Sequence, residues 1–318
     1  MTTMRVLLMY PPSQTHLEAL HHAAPQAEFV SARSEAEARC LIEDAEVVLG
    51  NRYFLQSLPC ARRLRWMQSN SVGVDLILTA KEVLHGITLT CARGVYDGEM
   101  AEHALALLLG LTRSLHKARD QQHSHLWQCW SLNTMEGKRC LVLGWGGVAR
   151  RLAQILAVMG VRVDGVRRSA IQPCMDEQGF MVWTPTTWRD RLPETDFLVL
   201  SLPLTKETHH LVGAQELNLL PSHALLVNIG RGGTVDEEAL IAALRNGRLA
   251  GAGLDVVENE PLPPDHPLWE VEKLLLTPHV ARSKETPPYR WEPLFVENMR
   301  RYAAGEPLLN VVDQDAGY

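Results

Sequence analysis

The chain is poor in paired thiols. Its six cysteines, Cys40, Cys60, Cys91, Cys129, Cys140 and Cys174, are scattered without CxxC spacing. Neither a thiolate metal site nor a disulfide framework is therefore expected, and the thiols read as reduced. Positive charge is also scarce: 31 Lys and Arg stand against 37 Asp and Glu, a formal charge of -6. That balance does not favour nucleic acid or an anionic membrane as partner. Long apolar runs are missing too. The longest, "ALALLLGL" from Ala104, is far below the roughly 20 residues that span a bilayer. The opening "MTTMRVLLMYPP" is too short for the core of a signal peptide and reads as a first strand. There is no low-complexity tract and no short-period repeat. A cytoplasmic protein with no membrane or nucleic-acid partner is the expectation.

What is present is an ordinary globular composition, 46% hydrophobic and 21% charged over 318 residues, which is more chain than one core usually organises. Short apolar runs alternate with helical patterns. In the first third the candidate strands are "RVLLM" (5–9), "EVVLG" (46–50), "RWMQS" (65–69) and "ITLTC" (87–91). Further on come "RCLVLG" (139–144), "VRVDGV" (161–166), "DFLVLSL" (196–202), "ALLVNIG" (224–230), "GAGLDVV" (251–257) and "KLLLTP" (273–278). These runs are continuous and rich in Val and Leu, the pattern of parallel strands covered on both faces. An α/β architecture built from βαβ units follows. The stretch "EMAEHALALLLGLTRSLHKARDQ" is expected to form one long helix, and "PYRWEPLFVENMRRYAAG" a helix stopped at Gly305.

After the strand at 139–144 comes Gly144-Trp145-Gly146-Gly147-Val148-Ala149, followed by "RRLAQILAVMG". This is the GxGxxG/A pattern. Gly144 permits the tight turn, Gly146 lets backbone approach a pyrophosphate, and Ala149 lets the helix pack close to the sheet. The helix would offer its unpaired N–H groups and positive dipole end to phosphate. Asp164 lies twenty residues past Gly144 but inside the second strand, so the strand tip is Arg167-Arg168-Ser169. Two guanidiniums and a hydroxyl suit a 2′-phosphate, which favours NADP(H) over NAD(H). A solvated arginine pair is the alternative.

Three later strands end in polar groups: Arg231 after "ALLVNIG", Glu258 and Glu260 after "GAGLDVV", and His279 after "KLLLTP". In open α/β sheets ligands bind beyond the carboxyl ends of the strands. The other histidines, including the pairs His21-His22 and His209-His210 and the near pair His123 and His125, read as surface or helix residues, and no metal is expected.

At these motifs the sequence resembles the D-isomer-specific 2-hydroxyacid dehydrogenase family over nearly the whole chain. The resemblance rests on "MQSNSVGVDLI", "LGWGGVARRLA", "LPLTKETHHLVG", "LLVNIGRGGTVDEEALIAAL", "GAGLDVVENEPLPPDHPLW" and "LLLTPHVA". It implies two doubly wound parallel-sheet domains: a Rossmann-type cofactor domain, 104–283, inserted into a flavodoxin-like substrate domain, 1–103 plus 284–318. It also implies a catalytic set of Arg231, Glu260 and His279, and a carboxylate-binding loop at Ser71-Val72-Gly73. Cofactor contacts are implied at Gly144, Trp145, Gly146, Gly147, Val148, Arg150, Arg167, Arg168, Ser169, Leu202, Pro203, Thr208, Ile229, Gly230, Asp255 and Met100. Asp255 reads equally as a strand-end hydrogen-bond acceptor, and Met100 as a core residue.

The expected activity is reduction of a small 2-oxo acid such as glyoxylate or hydroxypyruvate to the D-2-hydroxy acid, in a homodimer whose cleft closes on substrate. His279 would act as general acid beside a Glu260 carboxylate that favours the imidazolium, and Arg231 would polarise the carbonyl and grip the carboxylate. Asn51, Arg52, Tyr53, Phe54, Tyr96, Tyr289 and Trp291 are candidate pocket walls, with Arg52 a candidate for a second anionic group. Gly147 departs from the longer side chain of many relatives, which shifts phosphate binding toward backbone and Arg150. Arg282 and "KETPPYRW" depart from the small residues usual after the histidine. Formate oxidation is disfavoured because Glu260 stands where such relatives carry glutamine. A nucleotide-binding redox sensor or corepressor-like protein is the competing reading.

Overall fold

In the computed structural model, residues 4–282 and 288–317 are described. The chain divides into two compact units, Met1–Tyr96 with Lys284–Tyr318, and Asp97–Ser283. The helix Asp97–Thr112 thus lies wholly in the second unit. The boundary at 103/104 expected from the sequence would cut it, and its buried face packs with the second unit's core. The return crossover at 283/284 falls outside the described residues.

The first unit has five parallel strands: β1 (Met4–Leu8), β2 (Ala27–Ser31), β3 (Val47–Leu49), β4 (Trp66–Gln68) and β5 (Thr88–Thr90). Their order, β2-β1-β3-β4-β5, is the flavodoxin-like one. β2 is not among the strands expected from the sequence. It lies at the sheet edge and is largely uncovered, so its sequence "AEFVS" lacks the apolar run that marks the interior strands. The helix Glu292–Ala304 ends as expected at Gly305, which takes the left-handed conformation (φ +70°) that closes a helix readily when no Cβ is present.

The second unit has β6 (Arg139–Leu143), β7 (Arg162–Val166), β8 (Cys174–Met175), β9 (Met181–Trp183), β10 (Phe197–Leu200), β11 (Leu225–Asn228), β12 (Gly251–Leu254) and β13 (Leu274–Leu276). They lie in the order β13-β12-β11-β10-β6-β7-β9-β8. Numbered within the unit, the parallel part reads 3-2-1-4-5-6 with one further strand, the Rossmann order, in which the strand sequence switches direction between β6 and β10. The sheet is not purely parallel: β8 pairs antiparallel to β9 at the edge. Neither short strand carries the Val and Leu run of the centre, so the sequence gives no sign of them.

Every residue of β10, β11 and β12 is buried. These strands stop two or three residues earlier than their apolar runs. Leu202, Ile229 and Val256 are buried under the loops that follow rather than within strands. The single long helix expected at 99–121 is two, Asp97–Thr112 and Leu115–His123. Ser114 breaks it in a left-handed conformation, φ +50°. The second helix buries no residue, so no packing holds it in line with the first. All six cysteines are free.

Candidate active site

The glycine loop starts the site. Gly144 has φ +94°, and a Cβ there would stand 2.4 Å from the carbonyl oxygen of Ser201 and 2.9 Å from Leu202 Cβ. Only glycine therefore lets the end of β6 pass the end of β10, at the point where strand order reverses. Gly146 is the residue before the helix Gly147–Val158, and nothing lies within 4 Å of where its Cβ would be. No Cβ at Gly146 therefore stands before the helix start, which fits the diphosphate of a dinucleotide. Val148, Ala149, Leu152, Ala153 and Leu156 form the helix's buried face, as their spacing predicts.

The other members of the loop behave differently. Trp145 is 4% exposed, its indole covers Gly165 of β7, and its Nε1 donates to Asp176 Oδ2 at 2.8 Å. Its side chain is core, so only its backbone can meet a cofactor. A Cβ on Gly147 would coincide with the carboxylate of Asp97, 1.7 Å from Oδ2, which explains why no longer side chain stands there. Burial raises the Asp97 carboxyl above its ordinary value. Arg150 Nε lies 3.7 Å from Asp176 Oδ2, so its guanidinium is drawn toward a carboxylate of the unit itself.

At the β7 tip, Asp164 accepts a hydrogen bond from Trp183 Nε1 at 3.0 Å and is held by the neighbouring strand. Arg167 Nε is shut from solvent and has no hydrogen-bond partner among the described residues. Glu207 is held below its ordinary value first by a hydrogen bond from Thr205 and, more weakly, by the charges of Arg168 and Lys206. Glu207 lies in the loop after β10. In this loop Thr208 Oγ1 donates to the Pro203 carbonyl and accepts from Thr205 N, each at 2.7 Å. Ile229 is buried, and Met100 packs against the core cluster beneath the glycine loop.

Arg231, Glu260 and His279 follow β11, β12 and β13, three neighbouring strands. The Arg231 loop is fixed from below. Asn228 Nδ2 and Thr234 Oγ1 donate to the Arg231 carbonyl at 2.9 and 2.7 Å. A Cβ on Gly232 would lie 1.9 Å from the Val257 carbonyl carbon, so this loop presses directly on the one after β12. Glu260 accepts from Val257 N through Oε1 at 3.3 Å, and its Oε2 meets His279 Nδ1 at 2.6 Å. With Nδ1 engaged by the carboxylate, Nε2 is the nitrogen left for a substrate. Both side chains are partly exposed, His279 at 49% and Glu260 at 37%.

His279 itself has φ +52°, a left-handed conformation rare for a residue with a Cβ. Asp255 maintains it. The backbone N–H of His279 donates to the Asp255 carbonyl at 2.8 Å, and the Asp255 carboxylate accepts from Val280 N, Ala281 N and Thr277 Oγ1. His103 Nε2 lies 3.2 Å from Asp255 Oδ1. Burial alone would raise this carboxyl, but the hydrogen bonds from His103, Thr277, Val280 and Ala281 prevail and hold it at about 2. Asp255 is 1% exposed, and its carboxylate serves as a hydrogen-bond acceptor at the strand end.

In the first unit, the loop after β4 is tied internally: Ser71 N donates to Ser69 Oγ at 3.0 Å, and Asn51 Nδ2, from the loop after β3, donates to Ser71 Oγ at 3.0 Å. Val72 and Gly73 follow, neither fully buried. Arg52 stacks over the Tyr53 ring at 5.2 Å. Among the expected pocket walls, Phe54, Tyr96 and Trp291 are 0%, 2% and 2% exposed and belong to the core. Arg282 is described and partly buried, whereas residues 283–287 of the departing segment lie outside the described residues.

Residues 105–281 match the family model for the NAD binding domain of D-isomer specific 2-hydroxyacid dehydrogenases. The chain belongs to that family. It is thereby an NAD(P)-dependent oxidoreductase of the 2-hydroxyacid dehydrogenase type. A glyoxylate reductase of Aeropyrum pernix is 35% identical over 280 residues, 84% of this chain and 82% of the relative. A solved D-isomer specific 2-hydroxyacid dehydrogenase family protein of Aeromonas salmonicida superposes with a TM-score of 0.86 at 33% identity, covering 99% of this chain and all of the other. The enzyme of Xanthobacter autotrophicus Py2, solved with NADPH and MES, gives 0.84 at 30% identity, with both chains fully covered.

Sequence reasoning missed the contacts that fix the candidate site: Asn228 and Thr234 under Arg231, Thr277 and His103 around Asp255, and Asp97 against Gly147. Asn228 and Thr277 left a trace, each being a polar residue in or just after an otherwise apolar strand. Asp97 left none, because its contact spans fifty residues of chain.

Proposed function

We propose that this chain reduces small 2-oxo acids such as glyoxylate or hydroxypyruvate to D-2-hydroxy acids with NADPH as the preferred cofactor. The observation that carries the reading is the 2.6 Å contact of His279 Nδ1 with Glu260 Oε2, beside the fixed Arg231 loop. The open Gly146 and the helix start behind it fit the cofactor's diphosphate, and the bound nicotinamide would supply hydride chemistry.

The chain's own residues do the rest. Glu260 holds the imidazole through Nδ1, so that His279 can deliver a proton from Nε2 to the carbonyl oxygen. Arg231 polarises that carbonyl and pairs with the substrate carboxylate in a fork geometry that lysine lacks. Backbone N–H groups at Val72 and Gly73 would bind a carboxylate oxygen. In this reading residues 97–283 form the cofactor domain and the other unit the substrate domain. The unpartnered buried Nε of Arg167 supports a phosphate at the adenosine ribose, with Arg168 and Ser169 beside it.

The deciding experiment is a panel of 2-oxo acids assayed with NADPH and NADH. Turnover of glyoxylate or hydroxypyruvate with a higher kcat/KM for NADPH is expected. A preference for NADH would remove the phosphate assignment. No turnover across the panel would favour a nucleotide sensor.

We also propose a cytoplasmic homodimer. Leu126, Trp127 and Leu132 are exposed, Trp127 at 98%, and an apolar surface of this kind is disfavoured unless covered. Sedimentation of wild type and Trp127→Ser should show a dimer that the substitution weakens.

A further inference from the structure

His209 and His210 take no part in the chemistry above, yet with Glu258 they form the single group of three or more metal-capable side chains among the described residues, with ligand atoms all within 4.8 Å of one another. The two imidazoles stack, ring centroids 4.0 Å apart and planes 25° from parallel. Both aim Nε2 at the same carboxylate oxygen: Glu258 Oε1 is 2.8 Å from His210 and 3.8 Å from His209.

The backbone prepares this arrangement. His210 has φ +49°, a left-handed conformation, and its N–H donates to the Gly233 carbonyl at 2.8 Å. Glu258 N donates to Glu237 Oε1 at 2.6 Å. Two ring nitrogens thus converge on one carboxylate oxygen, at 2.8 and 3.8 Å, and only the nearer is within hydrogen-bond distance. A cation that accepts both nitrogen lone pairs and the carboxylate oxygen would use all three groups at once.

We propose that His209 Nε2, His210 Nε2 and Glu258 Oε1 form a binding site for a divalent transition-metal ion of the Zn2+ or Ni2+ class. Zn–N and Zn–O bonds of about 2.0–2.2 Å place tetrahedral ligand atoms about 3.4 Å apart, and the two observed separations straddle that value. Two imidazoles and one carboxylate suit such an ion, whereas Ca2+ and Mg2+ want oxygen ligands throughout. The three side chains are 54%, 37% and 34% exposed, so water completes the coordination. The ion ties the loop after β10 to the loop after β12, two residues before Glu260.

The test uses the full-length chain free of any histidine tag. Zn2+ titrated by calorimetry should bind at one site per chain with micromolar affinity. Saturating Zn2+ should raise Tm by roughly 3–8 °C. Co2+ should give the visible absorption of a nitrogen- and oxygen-ligated ion. His209→Ala, His210→Ala and Glu258→Gln should each weaken binding about 10–100-fold, a range taken from losses at metal-site partners. Circular dichroism without metal would establish that each variant is folded, and His209→Ala keeps the test decisive if His210→Ala fails to fold.

Absence of saturable uptake by wild type overturns the site. So does uptake unchanged in His209→Ala and Glu258→Gln, since exposed Cys40 and Cys129 would then hold the ion. None of these readouts involves turnover, so their outcome is separate from that of the 2-oxo acid panel.

Discussion

Asp255 holds the turn that carries His279: its carbonyl accepts the His279 N–H at 2.8 Å, and its carboxylate accepts the next two N–H groups at 2.9 Å each. Asparagine offers one acceptor oxygen where the carboxylate uses two. Asp255→Asn should therefore cost about 2 kcal/mol of stability near neutral pH, measured by urea unfolding. It should also reduce kcat with little change in cofactor KM, because the histidine is displaced while the phosphate cradle stays intact.

The same residue sets an acid limit. Its folded-state value of about 2 lies below the ordinary 3.8. The stabilisation is thus complete above about pH 4 and is lost as pH falls toward 2. In Asp255→Asn this part of the acid destabilisation should be missing, and an unfolding series from pH 5 to pH 2 would show wild type and variant converging.

His279→Asn and Glu260→Gln separate proton donation from its tuning. Loss of the positioned acid should reduce kcat by about 10²–10⁴-fold. Glu260→Gln keeps a hydrogen-bond acceptor near Nδ1 but loses the charge. It should therefore lower kcat less than His279→Asn does, which steady-state kinetics on the two variants would show. An equal or larger loss in Glu260→Gln would mean that the carboxylate does more than orient the ring.

Arg167 and Arg168 are expected to act on one cofactor only. Replacing both with alanine should reduce kcat/KM for NADPH by roughly 10–100-fold, the scale of lost charge-assisted hydrogen bonds, and leave NADH use nearly unchanged. A parallel fall with both cofactors would mean that the pair serves the fold.

Gly165 offers a packing test. A Cβ there would sit 1.9 Å from Trp145 Cε3, and the indole is pinned through Asp176. Gly165→Ala should cost about 3 kcal/mol, the upper end for overpacked cores, and reduce soluble yield. Gly165→Ala combined with Trp145→Phe should recover part of the loss.

The central strands are legible because a strand buried on both faces must be continuously apolar. Such runs need no partner to be recognised: "FLVL" and "LLVN" both stand where the sequence places strands. β2, β8 and β9 are not legible, since edge position and short length leave no such run. The site is legible as polar residues just past strand ends, and the resemblance supplied their roles.

What escapes the sequence are contacts set by tertiary approach. Trp145 stands in the middle of a phosphate-binding pattern yet belongs to the core, because Gly165 opposite it leaves room for an indole. Asp97 fills the space beside Gly147 from a different helix. Ser114 breaks a helix whose residues carry no conspicuous stop signal, and the segment after it buries no residue that would hold it in line.

The N–H at position 279 is held by the Asp255 carbonyl and that at 280 by the Asp255 carboxylate, bonds that do not involve the imidazole. Asparagine tolerates this left-handed geometry better than most residues. His279→Asn should consequently leave the scaffold intact and make a slow receptor: a form that loads cofactor and oxo acid together and holds them long enough to be trapped in a crystal.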